Sequence, residues 1–175
     1  MASEALNETI INRVERLRVR RAFLFVAQGY AERRRSVVVQ ARVRPPASPP
    51  EATDSSINNS VKTLSHPTKS DHFAGAGFTA TKKIGGAVVR NRAKRRLREA
   101  STQLMHKHAL AGVDYVFIAR RDTTTREWPA LLDDMESALI SLRQKILSGA
   151  PPDPKPDRYR SPRKGKRAVS QKNKK

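Results

Sequence analysis

The sequence predicts a mixed α/β domain, a two-layer sandwich of helices on a sheet, and three observations carry that prediction. Ser36–Arg44 (SVVVQARVR) and Asp114–Ala119 (DYVFIA) have the β-branched and aromatic content of strands. Val89, Ala93, Leu97, Ala100 and Leu104 recur with the spacing of one helical face. Leu131, Leu132, Met135, Leu139, Leu142 and Ile146 repeat at helical spacing near the end of the chain.

Taken in order, Met1–Asn12 reads as a frayed arm ahead of a domain spanning 13–148. Arg13–Gln28 is basic and apolar by turns, and its second half, closed by Gly29, reads as a short helix. In the strand Ser36–Arg44, Gln40, Arg42 and Arg44 alternate with Val39, Ala41 and Val43. One face should therefore pack on helices and the other stay polar. Pro45–His72 carries Pro45, Pro46, Pro49, Pro50 and Pro67 among Ser, Thr and Asn. It cannot bury enough apolar surface to offset its ordering entropy, and reads as a flexible insertion joining two strands of a hairpin. Phe73–Thr81 is the next strand, Ala87 to about Lys107 a basic helix, and Asp114–Ala119 a strand apolar enough to be central. Pro129 opens the last helix, and Gly149 with Pro151 and Pro152 stops it. The stretch 149–175 is a basic tail without hydrophobic period, expected to be disordered.

A net charge of +20 and a sequence pI near 11.3 argue for a polyanionic partner. With 37% hydrophobic residues and a mean hydropathy of −0.66, not all of the 175 residues are expected to pack into a core. No apolar run approaches the ~20 residues of a spanning helix, and no signal peptide opens the chain. A membrane partner is therefore not expected, and the cytoplasm is the simplest compartment. The absence of cysteine excludes disulfides and thiolate zinc sites. His106 and His108 point to different sides of a helix end, His66 and His72 fall in the insertion, and no HExxH is present. No metal or other cofactor bound by protein side chains is expected. Asp133, Asp134 and Glu136 lie off the apolar stripe of the last helix and read as a solvated face, not a nuclease centre.

Function concentrates in the basic helix. From Arg90 to Arg98, six of nine residues are basic: Arg90, Arg92, Lys94, Arg95, Arg96 and Arg98. Like charges at i,i+4 cost an isolated helix about 0.2–0.5 kcal/mol per pair, a cost that fixed negative charge relieves. Ordinary solvated faces mix signs, whereas Glu99 is the only acid between Lys82 and Lys107. Docking onto nucleic-acid phosphates accounts for the pattern, and the planar fork of arginine suits phosphate oxygens. On a helical wheel Arg90, Asn91, Lys94, Arg95 and Arg98 share one flank of the apolar stripe, and Arg92 and Arg96 the other. Asn91 either bonds RNA or ties down the helix start. Lys82-Lys83-Ile84-Gly85-Gly86 lacks the P-loop pattern. Free N–H groups at the helix start beside two lysines nevertheless favour a phosphate seat over a plain turn.

Residues 77–100, GFTATKKIGGAVVRNRAKRRLREA, form a strand, a turn and a basic helix built around Arg90-Asn91-Arg92. The tract resembles the signature of the bacterial ribonuclease P protein subunit, whose RNR motif that tripeptide matches. The resemblance covers roughly Val14–Ile146 and leaves the insertion unmatched, since related subunits usually make that connection with fewer residues. It implies an α-β-β-β-α-β-α order with a mixed sheet, a ribosomal-protein-S5-domain-2-like fold, if Tyr30–Arg34 adds a short edge strand. It also implies a left-handed β-α-β crossover, where the general rule would give a right-handed one.

The resemblance implies a function too: a non-catalytic protein subunit of an endoribonuclease that removes the 5′ leader of precursor tRNA. Catalysis would reside in the RNA subunit, which requires Mg2+. The implied partners are that catalytic RNA and precursor tRNA, with no obligate protein partner. The RNA subunit would be held by Lys82, Lys83, Arg90, Asn91, Arg92, Lys94, Arg95, Arg96 and Arg98. The short helix and the sheet would frame a leader cleft from Arg18, Arg20, Arg21, Phe23, Gln40 and Arg42, with charge also from Arg44. Phe23 stands equally well as core. Ala27 and Gln40 occupy positions where relatives often carry aromatics, which weakens base stacking and shifts the task toward charge. A ribosomal or RNA-chaperone protein would share the charge and size. A self-sufficient nuclease would need a metal constellation that the sequence does not offer.

Overall fold

A computed structural model of the chain describes residue 11 and residues 13–45 and 73–152. The rest of the arm, the insertion from 46 to 72 with His66 and His72, and the tail from 153 lie outside the described residues. Five strands are β1 (Arg13–Arg16), β2 (Tyr30–Arg33), β3 (Val37–Val43), β4 (Phe73–Ala80) and β5 (Val113–Ala119). Three helices are α1 (Arg20–Val26), α2 (Ala87–His108) and α3 (Trp128–Leu147).

The strands form one mixed sheet in the order β1-β4-β5-β3-β2. β4 runs parallel to both β1 and β5, while β3 is antiparallel to both β5 and β2. β5 takes the centre because six of its seven residues are buried, so both of its faces need cover. This corrects the expected hairpin across the insertion. β3 and β4 are separated by β5, which bonds to each of them. An edge strand at Tyr30–Arg33 is present as expected, paired with β3. β1 has no counterpart in the sequence reading: RVER lacks strand composition and pairs because the edge of β4 is open to it. Ile11, assigned to the arm, is 3% exposed and belongs to the core.

Alternate residues divide the sheet. Val37, Val39 and Ala41, Ala74 and Ala76, and Tyr115 and Phe117 face α2 and α3. There they meet Ala93, Leu97, Ala100 and Met105 of α2 and Leu131, Met135, Leu139 and Leu142 of α3, all buried. The Tyr115 hydroxyl accepts a hydrogen bond from Leu110 N–H at 3.0 Å, and burial pushes its phenol up to about 12. α3 is held on the edge of the sheet by polar contacts as well. Arg34 donates to the hydroxyls of Ser137 (2.9 Å) and Ser141 (2.8 Å).

Asp134 is not part of a solvated face. It is buried, accepts hydrogen bonds from Ser36 N–H (3.1 Å) and Oγ (2.6 Å), and pairs with Arg126 at 3.1 Å. Polar character hid its role, which is to fasten α3 to the start of β3. Glu136 likewise pairs with His108 at 2.8 Å, joining α3 to the end of α2, and only Asp133 of the three acids is exposed.

Candidate nucleic-acid interface

α2 is 22 residues long, about 33 Å at 1.5 Å per residue, and its first turns project beyond the core. Val88 is 81% and Val89 36% exposed, so the buried stripe begins at Ala93 and not, as the periodicity suggests, at Val89. Period alone cannot say where the sheet beneath a helix ends. The 3-10 turn Lys82–Ile84 leads into the helix with Lys82 and Lys83 both exposed. Gly85 follows with φ +141°, a conformation that side chains disfavour. Arg90 donates to the Gly85 carbonyl at 2.8 Å. The helix start is thus tied down by Arg90, whereas Asn91 is exposed and makes no side-chain hydrogen bond among the described residues. Gly86 at the N-cap offers no side-chain acceptor, leaving the first-turn N–H groups without a capping partner.

Arg98 lies over the Phe78 ring at 5.8 Å, on the β4 side. Arg95 lines a recess with Arg92 and Arg96, beside the segment after β5. Arg96 is committed to the scaffold. Its guanidinium donates to the carbonyls of Thr123 (2.9 Å) and Arg126 (2.5 Å), and lies 5.8 Å from the centre of the Trp128 ring. Burial lowers its pKa, the Arg92 charge adds to the effect, and Glu127 opposes it. The exposed cations Arg92, Arg95 and Arg98 and the half-buried Lys94 give α2 its outward charge.

The opposite face of the sheet carries the second predicted site. α1 crosses it with Phe23 against Gly77 and Val116, and Phe23 is half-buried, outside the main core. A Cβ at Gly77 would stand 2.8 Å from Phe23 Cε1, so the glycine is what admits the ring. Gln40 pairs in register with Val116 and Ala31, in the same row as Gly77. The next row, Thr79, Ile118, Val38 and Arg33, continues this surface, with the first three half-buried. Sequence reasoning missed this row, although the alternation along β3 and β5 could have located Val38 and Ile118.

Arg18, Arg20 and Arg21 are exposed at the start of α1. Arg42 is spent on α1 itself. It lies 4.1 Å from the centre of the Phe25 ring and donates to Phe25 O (3.0 Å) and Gln28 Oε1 (2.8 Å). Arg44 is likewise engaged, by Asp114 at 2.8 Å and the Phe73 ring at 3.9 Å. Among the described residues, no group of three or more His, Cys, Asp or Glu could hold a metal ion. No helix among them is long and apolar enough to cross a membrane.

A mixed sheet with a basic helix on one side, and a short helix with exposed arginines on the other, defines a basic α+β protein with two candidate surfaces for a polyanion. The family model described as Ribonuclease P matches residues 11–143, and the chain belongs to that protein family. The ribonuclease P protein component of Caulobacter vibrioides (strain NA1000 / CB15N) is 48% identical over 135 residues, covering 77% of this chain and 75% of that protein. Among solved structures, the RNase P protein from Thermotoga maritima aligns with a TM-score of 0.51 at 22% identity, covering 73% of this chain and 96% of that one. The Staphylococcus aureus RNase P protein gives 0.50 at 23% identity, covering 73% and 94%. At these identities the structural likeness establishes the fold.

Proposed function

We propose that the chain is the protein component of a ribonuclease P and assists removal of the 5′ leader from precursor tRNA by binding RNA, not by supplying catalytic side chains. The observation that carries this reading is α2, in the RNR-bearing tract of a chain that belongs to the family. It is long, anchored by its buried stripe, and basic outside it. Arg92, Arg95 and Arg98, with Lys82 and Lys83 at the helix start, would neutralise phosphates of the RNA subunit and let dense backbone regions approach. The uncapped N–H groups after Gly86 would add a phosphate seat. Arg96 would act indirectly, by holding the neighbouring segment in place.

The sheet face beside α1, where Phe23, Gln40, Val38 and Ile118 are half-buried, would take the single-stranded leader. Its charge would come from Arg18, Arg20, Arg21 and Arg33, while Arg42 keeps α1 seated. The metal-dependent step belongs in this proposal to the RNA subunit, which would hold Mg2+ at the scissile phosphate.

The test is precursor-tRNA cleavage at low magnesium with ribonuclease P RNA alone, the protein alone, and the two together. Cleavage at the mature 5′ end by the mixture only is the expected result. Cleavage by the protein alone would place a catalytic centre on the polypeptide. RNA binding without rescue of any cleavage would favour a ribosomal type of function.

A further inference from the structure

A recess of about 660 Å³ opens between α2 and the segment joining β5 to α3. Arg92, Arg95 and Glu99 line it from the helix, and Thr125, Glu127 and Trp128 from the segment opposite. Its volume falls within the range of roughly 300–1,000 Å³ usual for small-molecule pockets.

The basic groups of this recess divide into two kinds. Arg96 is spent on two carbonyls and Arg126 on Asp134, so both hold the walls in place. Arg92 and Arg95 are exposed and make no ion pair among the described residues. Two guanidinium forks are therefore presented side by side to an incoming anion. Trp128 supplies an aromatic wall, half-buried, packed against the core and with Arg96 5.8 Å from the centre of its ring, so the indole is already held in place when a ligand meets it.

A site for a bare anion gains nothing from acids, yet Glu99 and Glu127 also line the recess, both exposed. Carboxylates accept hydrogen bonds from the amino and imino groups of a nucleobase. The Thr125 hydroxyl can bond a ribose. Phosphate, base edge, ring and sugar each find a matching group here, a combination that fits a nucleotide.

We propose that this recess holds one unpaired nucleotide of the RNA partner, with its phosphate on Arg92 and Arg95 and its base against Trp128. The proposal rests on the RNA-binding reading of α2 and adds a base contact to what would otherwise be phosphate contacts alone. It gives α2 a means of distinguishing a looped-out nucleotide from continuous duplex, because a stacked, paired base does not enter such a recess.

Trp128 is the only tryptophan of the chain, so its emission reports directly on the recess. The full-length protein is titrated with nucleoside 5′-monophosphates, with inorganic phosphate, and with the ribonuclease P RNA of Caulobacter vibrioides, whose retention on filters is followed in parallel. Nucleotides and RNA should change the emission saturably, while inorganic phosphate competes without changing it. Arg92→Ala and Arg95→Ala should each weaken nucleotide binding about tenfold, the loss expected for a charge-assisted pair. Trp128→Phe should retain RNA affinity and Trp128→Leu, which keeps apolar packing, should reduce it at unchanged circular dichroism. RNA retained on filters with unchanged emission, or with full affinity in the Leu variant, overturns the recess and leaves the RNA-binding reading of α2 standing. Equal binding of phosphate and nucleotides without an emission change overturns the base contact. RNA that is not retained at all overturns both readings.

Discussion

Phe23 and Gly77 are a fitted pair: the ring of the first occupies the space that a side chain on the second would need. A Cβ at residue 77 would lie 2.8 Å from Phe23 Cε1 and 3.2 Å from Val116 Cγ2. The seat of the Phe23 ring thus depends on a missing methyl group in the strand beneath it. Gly77→Ala should displace the Phe23 ring at a cost of about 1–3 kcal/mol, the usual range for overpacking. Because α2 lies on the other face of the sheet, affinity for the RNA subunit should hold. The gain in affinity that a 5′ leader gives precursor tRNA over mature tRNA should fall. Titrating both tRNAs against the assembled complex measures this, and an unchanged leader contribution would remove Phe23 from the leader site.

Two neighbouring arginines of α2 should behave oppositely. Arg92 is exposed, so Arg92→Ala should leave the melting temperature unaltered. RNA affinity should weaken, and its log–log salt slope should decrease by about 0.7–0.9 for each lost phosphate contact. Arg96 bonds the carbonyls of Thr123 and Arg126. Arg96→Ala should strand both and destabilise the fold by about 1–3 kcal/mol. Parallel urea curves and salt-dependent binding isotherms separate the two. Equal loss of stability in both variants would refute the division of labour.

Much of this architecture is legible in the sequence, and the failures share a cause. The stripe Ala93–Leu97–Ala100–Leu104 and the apolar run of β5 announce themselves because each is a property of its own segment. Misread features depend on which distant segment arrives alongside. Arg96 becomes scaffold because the segment at 121–128 packs against α2. Asp134 looks solvated until Ser36, 98 positions away, is found donating to it. β1 forms from RVER only because β4 offers a free edge, and the expected hairpin fails because β5 claims the slot between β3 and β4. The same limit affects the candidate sites. Positive charge is visible residue by residue, but which guanidinium is already engaged is a tertiary fact.

Leu97 tests how firmly α2 is anchored. Fully buried beneath a helix crowded with positive charge, it is part of what holds the helix on the sheet. Leu97→Ala should cost about 2–5 kcal/mol, a transfer term plus a cavity term. The loss should appear in denaturant midpoints with an unchanged m-value. A near-zero loss would mean that the helix is not held by its apolar stripe.

Acid should loosen the edge of the sheet through Glu32. Burial by itself would raise the pKa of this carboxyl, but the hydrogen bonds and charges of Lys145 and Arg34 outweigh it and hold it below the ordinary value of 4.5. The two cations stand at 2.8 Å and 2.7 Å, linking the end of β2 to α3 and to the strand's own flank. A carboxyl whose folded pKa is depressed contributes stability that is fully present above its unfolded value. That contribution disappears as the pH falls below 4.5 and through the folded value. Urea midpoints measured from pH 6 down to pH 3 should therefore decline less steeply in Glu32→Gln than in the native chain. The variant should be the less stable of the two at neutral pH, and the gap should narrow as acid neutralises the native carboxylate. Parallel declines in the two proteins would show that the Glu32 cluster contributes nothing to the pH dependence of folding.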